Sequence, residues 1–253
     1  MCNFYDAHYY PAKLTEQFGT DLNLPEEYQG SYKVSPTNYS PIVRVNQKGN
    51  RVAEESYFKL IPSFADSKHH KYSTMNARDD KLLSKRGMWK PYFETQRCIV
   101  PATGFYEHYT LSEPKHIEGL DKPTDKVPFR IGLKSADLFG FAGVWNTWTD
   151  PNTGEVILSH AIITTDPNET VKKIHNTQNR MAMILPQSAY DLWLGDVDKG
   201  EDLFDANLFK PWPDEDMEYF QVNKQFDYGL RDETLRNPVQ HQIRFEGEQR
   251  GLF

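Results

Sequence analysis

Short runs of β-branched and aromatic residues recur along most of the chain, set between polar stretches. Ile42–Val45, Tyr57–Ile61, Arg97–Val100, Gly104–Tyr109, Phe129–Leu133, Leu138–Trp145 and Val156–Thr164 read as strands. Helical spacing is scarcer. Pro11–Phe18 sets Leu14 and Phe18 one turn apart on a single face. Asp79–Trp89 predicts a helix broken near Gly87. Asn168 predicts the N-cap of a short helix reaching His175, with Glu169 in its first turn. Arg180–Leu185 reads as a strand ended by Pro186, and Ser188–Leu194 as a further helix. The polar stretch Leu111–Val127 is expected to be an exposed hairpin loop, and little pattern follows Asn237. Regular βαβ alternation is missing. The expected fold class is therefore α+β, with a largely antiparallel, twisted, barrel-like sheet and short peripheral helices. One domain is expected over 1–253, its core in 1–236 and a tail in 237–253.

Composition narrows the class. The 253 residues are 38% hydrophobic, 13% aromatic and 26% charged, enough apolar material for a core and unlike a disordered chain. No apolar run approaches the roughly 18–20 residues of a membrane span. The start, MCNFYDAHYY, has neither a basic nor an apolar leader region, so a cytoplasmic protein without membrane contact is expected. Two cysteines exclude a disulfide framework.

The net charge of −7 taken alone speaks against a nucleic-acid partner, but the charge is unevenly spread. Residues 41–100 carry 12 Lys/Arg against 6 Asp/Glu, whereas 181–218 carry 2 against 10. A local basic face permits phosphate binding, because contacts answer to the local field. A solvated surface with patchy charge is the plainer reading of the count.

Chemistry concentrates at the start. With Met1 removed, Cys2 becomes an N-terminal residue carrying an amine and a thiol, each with a reactive fraction near neutral pH. Such a 1,2-aminothiol condenses with an aldehyde to an imine and closes to a thiazolidine. A small buried hydrophobe is the plainer role for a cysteine. Glu107, among the apolar neighbours of Gly104–His108, is either a buried carboxyl suited to general acid work or an outward position on an alternating strand. His175 is a possible acid/base or a packed histidine. Asn76 either caps a turn or orients a ligand, and Arg78 is a surface charge or a phosphate contact. Cys98, within a strand run, reads as structural. No histidine spacing suggests a metal, and no glycine motif cradles a phosphate, so neither metal nor cofactor is expected.

A series of segments then falls in order: Met1-Cys2, Tyr32–Pro36 (YKVSP), Phe58–Phe64 (FKLIPSF), Asn76-Ala77-Arg78 and Arg97–Glu107 (RCIVPATGFYE). Phe141–Trp145 (FAGVW), Ile162–Thr165, Ile174-His175 and Arg180-Met181 before Ile184-Leu185 complete it. This series resembles the SOS-response-associated peptidase (SRAP) family from the first residue to about position 195.

The resemblance implies a DNA-damage protein that crosslinks to abasic sites in single-stranded DNA. Cys2 would be the nucleophile that forms a thiazolidine, and Asn76 would hold it and the opened sugar. Glu107 would be the general acid/base, with His175 assisting imine formation, ring opening or reversal. Arg78, Arg86 and Arg180 would meet phosphates, and Phe64 would wedge beside the bases. The peptidase label would refer to self-removal of residues ahead of Cys2, here Met1 alone, and opening of the sugar would give the chemistry a lyase-like character. A monomer is expected.

The chain also departs from the family pattern. Asn3-Phe4 stands where Gly-Arg is common, and Phe58, Phe64 and His108 stand where tryptophans are frequent. Ala182 replaces a proline, and Asn176–Asn179 lengthen the spacing from His175 to Arg180. Two other functions fit Cys2 or the basic region less fully. An N-terminal-nucleophile thiol hydrolase would use the same cysteine on amide bonds. A non-catalytic single-stranded nucleic-acid module would bind salt-sensitively without needing Cys2.

Overall fold

The β-rich runs assemble into two sheets in a computed structural model of the chain, which describes residues 3–196, 200–243 and 245. The first half contains β1 (Phe4–Asp6), α1 (Ala12–Phe18), β2 (Asp21–Asn23), β3 (Tyr39–Val45), β4 (Arg51–Phe58), β5 (Asn76–Arg78), α2 (Lys90–Thr95), β6 (Arg97–Ala102) and β7 (Gly104–Lys115). The second half contains β8 (Thr124–Leu133), β9 (Phe139–Thr149), β10 (Val156–Thr165), α3 (Glu169–Ile174), β11 (Met181–Ala182), β12 (Ile184–Leu185), α4 (Tyr190–Leu194), α5 (Glu201–Asp205) and β13 (Met217–Gln221).

Strand β10 bonds to both β4 and β9, so the succession β10-β4-β3-β6-β9 returns on itself as a closed five-stranded barrel. Closure removes the open edges that a sheet this apolar would otherwise expose. All its pairings are antiparallel except β10 with β4. Ile42, Phe58, Ile99, Phe141, Val144 and Ile163 are fully buried in the main core. A polar chain crosses that apolar interior. His160 Nδ1 lies 3.0 Å from Ser56 Oγ and its Nε2 lies 3.3 Å from the Tyr5 hydroxyl, which in turn bonds Ser40 Oγ. Burial pushes His160 down to about 3, so it stays neutral.

At Thr103 the chain leaves the barrel and enters the second sheet, ordered β1-β7-β8-β13. The fold class is thus α+β, with short helices around a largely antiparallel framework.

Several expected elements differ. Leu111–Val127 is not mainly a loop, because β7 runs to Lys115 and β8 begins at Thr124. The buried side chains of Leu111 and Ile117 hold this polar hairpin down. No long helix forms over Asp79–Trp89; only a 3₁₀ turn at Asp79–Lys81 does, and the helix comes later at Lys90–Thr95, with Pro91 in its first turn. Of the strand expected at Tyr57–Ile61 only Tyr57-Phe58 belong to one, as the end of β4, whose earlier charged positions hid it; Lys59, at φ 151°, turns the chain out of the strand. Arg180–Leu185 divides into β11 on β10 and β12 on β9. Past Asn237, Val239 and Phe245 are buried, and the Phe245 ring stacks on Phe129 at 5.2 Å. No helix is long and apolar enough to cross a membrane among the described residues.

Candidate active site

Strand β1 covers only part of β7. Its register pairs Phe4 with Tyr106 and Asp6 with Gly104, so among the described residues β1 stops short of Glu107 on the β7 edge. A cleft of about 320 Å³ runs along that edge, lined by Asn3, Glu107, His108, His175, Gln178 and Asp227 among others.

Glu107 and His175 meet inside it. Glu107 projects from β7, where the chain pairs with Phe129 of β8. His175 ends α3, a helix whose start is fixed by Asn168, with Oδ1 accepting from Val171 N at 2.9 Å. Its far end is fixed as well. Asn176 accepts from Thr110 N at 2.9 Å and donates to Thr110 O at 2.8 Å, so its amide pairs with the β7 edge as a strand residue would. The result is a 3.2 Å contact between His175 Nδ1 and Glu107 Oε2, with both side chains nearly buried.

Burial sets the protonation. It raises the Glu107 carboxyl from 4.5 to about 8 and lowers the His175 imidazole from 6.5 to about 4. Near neutral pH the pair is a protonated carboxyl beside an uncharged imidazole, with one proton to transfer between them. Glu107 Oε1 is buried without a hydrogen-bond partner among the described residues, and so is Asn76 Oδ1. Buried acceptors are rarely left so. Asn76 opens β5, and its Nδ2 donates to Asn3 Oδ1 at 3.4 Å, which joins it to the cleft.

The other expected residues are dispersed. Arg78 and Arg180 line a neighbouring hollow with Asp166, Gln178 and Asn179, and Gln178 faces both hollow and cleft. Arg78 is exposed and forked onto Asp80, at 2.9 and 3.0 Å. Arg180 is more engaged, with ion pairs to Asp79 at 2.6 Å and Asp166 at 3.2 Å. Arg86 and Phe64 line neither space; both are exposed, and the Phe64 ring meets Tyr72 edge-on at 5.5 Å. Cys98 is fully buried, where desolvation raises its thiol far above the ordinary value, as a structural cysteine requires. Cys2 lies outside the described residues. No cluster that could hold a metal occurs among the described residues.

Several site groups had no sequence signal. Asp227 comes from a 3₁₀ turn far along the chain and meets His108 Nε2 at 2.7 Å. Burial opposes its ionisation, yet the bonds from His108 and Lys224 outweigh this and hold it at about 2. Asn176 could have been suspected only from the lengthened spacing after His175.

A closed five-stranded barrel beside a second sheet, in which the start of β1 lies next to a buried carboxyl–imidazole pair, defines a class. The chain belongs to the SOS response associated peptidase (SRAP) family, whose model matches residues 1–227. It is similar to the abasic site processing protein YoqW of Bacillus subtilis, 36% identical over 211 residues, spanning 83% of this chain and 87% of that one. The abasic site processing protein HMCES of Xenopus tropicalis is 30% identical over 186 residues, 67% of this chain but 55% of that longer protein. Among solved structures, a protein from Bacteroides thetaiotaomicron superposes with a TM-score of 0.78 at 27% identity, covering 94% of this chain and all of the other.

Proposed function

We propose that this protein captures abasic sites in single-stranded DNA covalently, through a thiazolidine on Cys2 after self-removal of Met1. The observation that carries this reading is the buried Glu107–His175 pair beside Asn3. Cys2 is tethered to Asn3 by one peptide bond, which limits their Cα separation to about 3.8 Å. The relatives' names point to the same substrate.

The steps balance without oxidant or cofactor. The sugar hemiacetal opens to its aldehyde, aided by proton transfer at His175. The Cys2 amine attacks the carbonyl carbon and one of its protons passes to the carbonyl oxygen. Glu107 then protonates that hydroxyl, which leaves as water, and takes back the second amine proton as the neutral imine forms. The imine carbon then accepts the thiol sulfur, and the thiol proton ends on the ring nitrogen. Asn76 Oδ1 and Glu107 Oε1 are acceptors suited to orienting the attacking amine. Arg78, Arg86 and Arg180 would take phosphates, and Phe64 would stack on bases. The working form would be a monomer needing no small-molecule cofactor.

The test is a denaturing gel of Met1-free protein with a single-stranded oligonucleotide carrying one abasic site. A shifted band is expected for the native chain and no band for Cys2→Ala. Equal bands from both would refute the assignment of Cys2. No band from either, with Met1 loss verified by mass, would favour amide substrates and the N-terminal-nucleophile hydrolase.

A further inference from the structure

Strand β1 is three residues long, yet one of its side chains is among the most heavily bonded groups of the protein. Asp6 is fully buried. From β8, Arg130 donates to Asp6 Oδ2 through Nη2 at 3.1 Å and through Nε at 3.3 Å. From the last 3₁₀ turn, Arg236 forks onto the same carboxylate, Nε to Oδ2 at 2.8 Å and Nη2 to Oδ1 at 2.9 Å. That Nη2 also reaches His8 O at 2.6 Å and Thr103 Oγ1 at 2.9 Å. The glycine opposite Asp6 makes room for this. A Cβ on Gly104 would stand 2.7 Å from Arg130 Cζ, so any side chain there would displace the guanidinium.

Arg236 lies beyond the 1–227 span of the family model. Neighbouring residues on a strand face opposite ways. Tyr5 therefore points into the barrel, where it bonds Ser40, while Asp6 turns to the two arginines. Both faces of β1 are pinned, and rotation about the strand axis is blocked. A nucleophile at a chain end is oriented by the strand that follows it, and its orientation governs the rate.

We infer that Arg236 is a positioning residue for the amino terminus: with Arg130 it pins Asp6, and through β1 it holds the start of the chain against Glu107. This rests on the function proposed above. Arg236 is the testable half of the clamp. Its side chain is 35% exposed against 9% for Arg130, so its removal leaves Asp6 paired in the interior.

The experiment uses full-length, Met1-free Arg236→Ala and Arg236→Lys with an abasic single-stranded oligonucleotide. Crosslinking rate is followed against DNA concentration, and amide hydrogen exchange over residues 3–8 is followed without DNA. For Arg236→Ala the maximal rate is expected to fall about tenfold or more, with the half-saturating DNA concentration unchanged and exchange over 3–8 accelerated. Arg236→Lys should be intermediate, since an ammonium keeps the charge and loses the fork. An Arg236→Ala protein with native maximal rate and native exchange overturns the inference. A changed half-saturating concentration at native maximal rate also overturns it, because that reports DNA contact. If the native chain forms no crosslink, the proposed function fails while exchange still decides the clamp: acceleration supports it, and no change overturns it. Should Arg236→Ala not fold, Arg236→Gln, which keeps an amide NH2 group and most of the volume, is measured with the same criteria.

Discussion

Replacing Glu107 with glutamine should make the protein more stable, and by an amount that grows with pH. The carboxyl ionises at 4.5 in an unfolded chain and at about 8 in the fold, because burial disfavours its charge. A group whose folded value is raised contributes its full stability below the unfolded value and loses it as pH rises to the folded one. Between 4.5 and 8 each pH unit therefore costs the native protein about 1.36 kcal/mol, which is about 3 kcal/mol at pH 7 and about 5 kcal/mol above pH 8. Against a total of about 5–15 kcal/mol, that is a large share. Glutamine has the same shape, no charge to desolvate and an N–H to offer His175. The two proteins should match near pH 4.5 and diverge upward, read as urea midpoints at pH 5, 7 and 8.5. The shift of His175 has the opposite sign. Its value of about 4 costs stability as pH falls below 6.5, but it does so in both proteins and drops out of the difference. A Glu107→Gln advantage that is constant with pH, or a native protein more stable at pH 8.5, would refute the argument that Glu107 is held neutral by burial.

Other consequences are quickly measured. Crosslinking should fall above pH of about 8, where Glu107 loses its proton, and Glu107→Gln should leave a weak activity lacking that limb; gel-followed rates from pH 5 to 9.5 read this directly. Asn168→Ala removes the cap of α3 and should cost about 1 kcal/mol or more in a thermal melt, with slower crosslinking because His175 ends the same helix. Arg78→Ala should leave the melt unchanged, since its exposed pair with Asp80 is worth about 0–1 kcal/mol, while lowering the salt slope of DNA binding by about 1. Arg180→Ala should instead destabilise by about 1–3 kcal/mol, because it strips Asp79 of a largely buried partner. Phe64→Ala, at a 60% exposed position, should stay within about 0.5 kcal/mol in stability and weaken single-stranded DNA binding by about 1–3 kcal/mol, measured by fluorescence anisotropy.

The barrel was legible in the chain because its strands are buried and dense in β-branched and aromatic residues, as in Ile42–Val45 and Leu138–Trp145. The parts that escaped have physical reasons. Strand β4 begins Arg51-Val52-Ala53-Glu54-Glu55, where half-exposed charges mask a fully paired ladder, and Arg44 reaches across to pair with Glu54. Strand β13 starts where the acidic segment ends and is held by its register on β8, which no local pattern announces. Within the site, Glu107 and His175 could each be singled out, yet a strand residue and a helix end offer no sequence clue that they lie 3.2 Å apart. The clamp on Asp6 was wholly hidden, because it joins positions 230 residues apart and an aspartate after two aromatics reads as a surface charge. Local pattern reports what one segment buries. It is blind to what two segments share, and chemistry at a chain terminus depends on shared groups: a loose end becomes a nucleophile only when distant side chains fix its direction. The residues that the proposed reaction would use are therefore the legible ones, and those that would hold them, Asn176 on the β7 edge and Arg236 on Asp6, must be found in three dimensions.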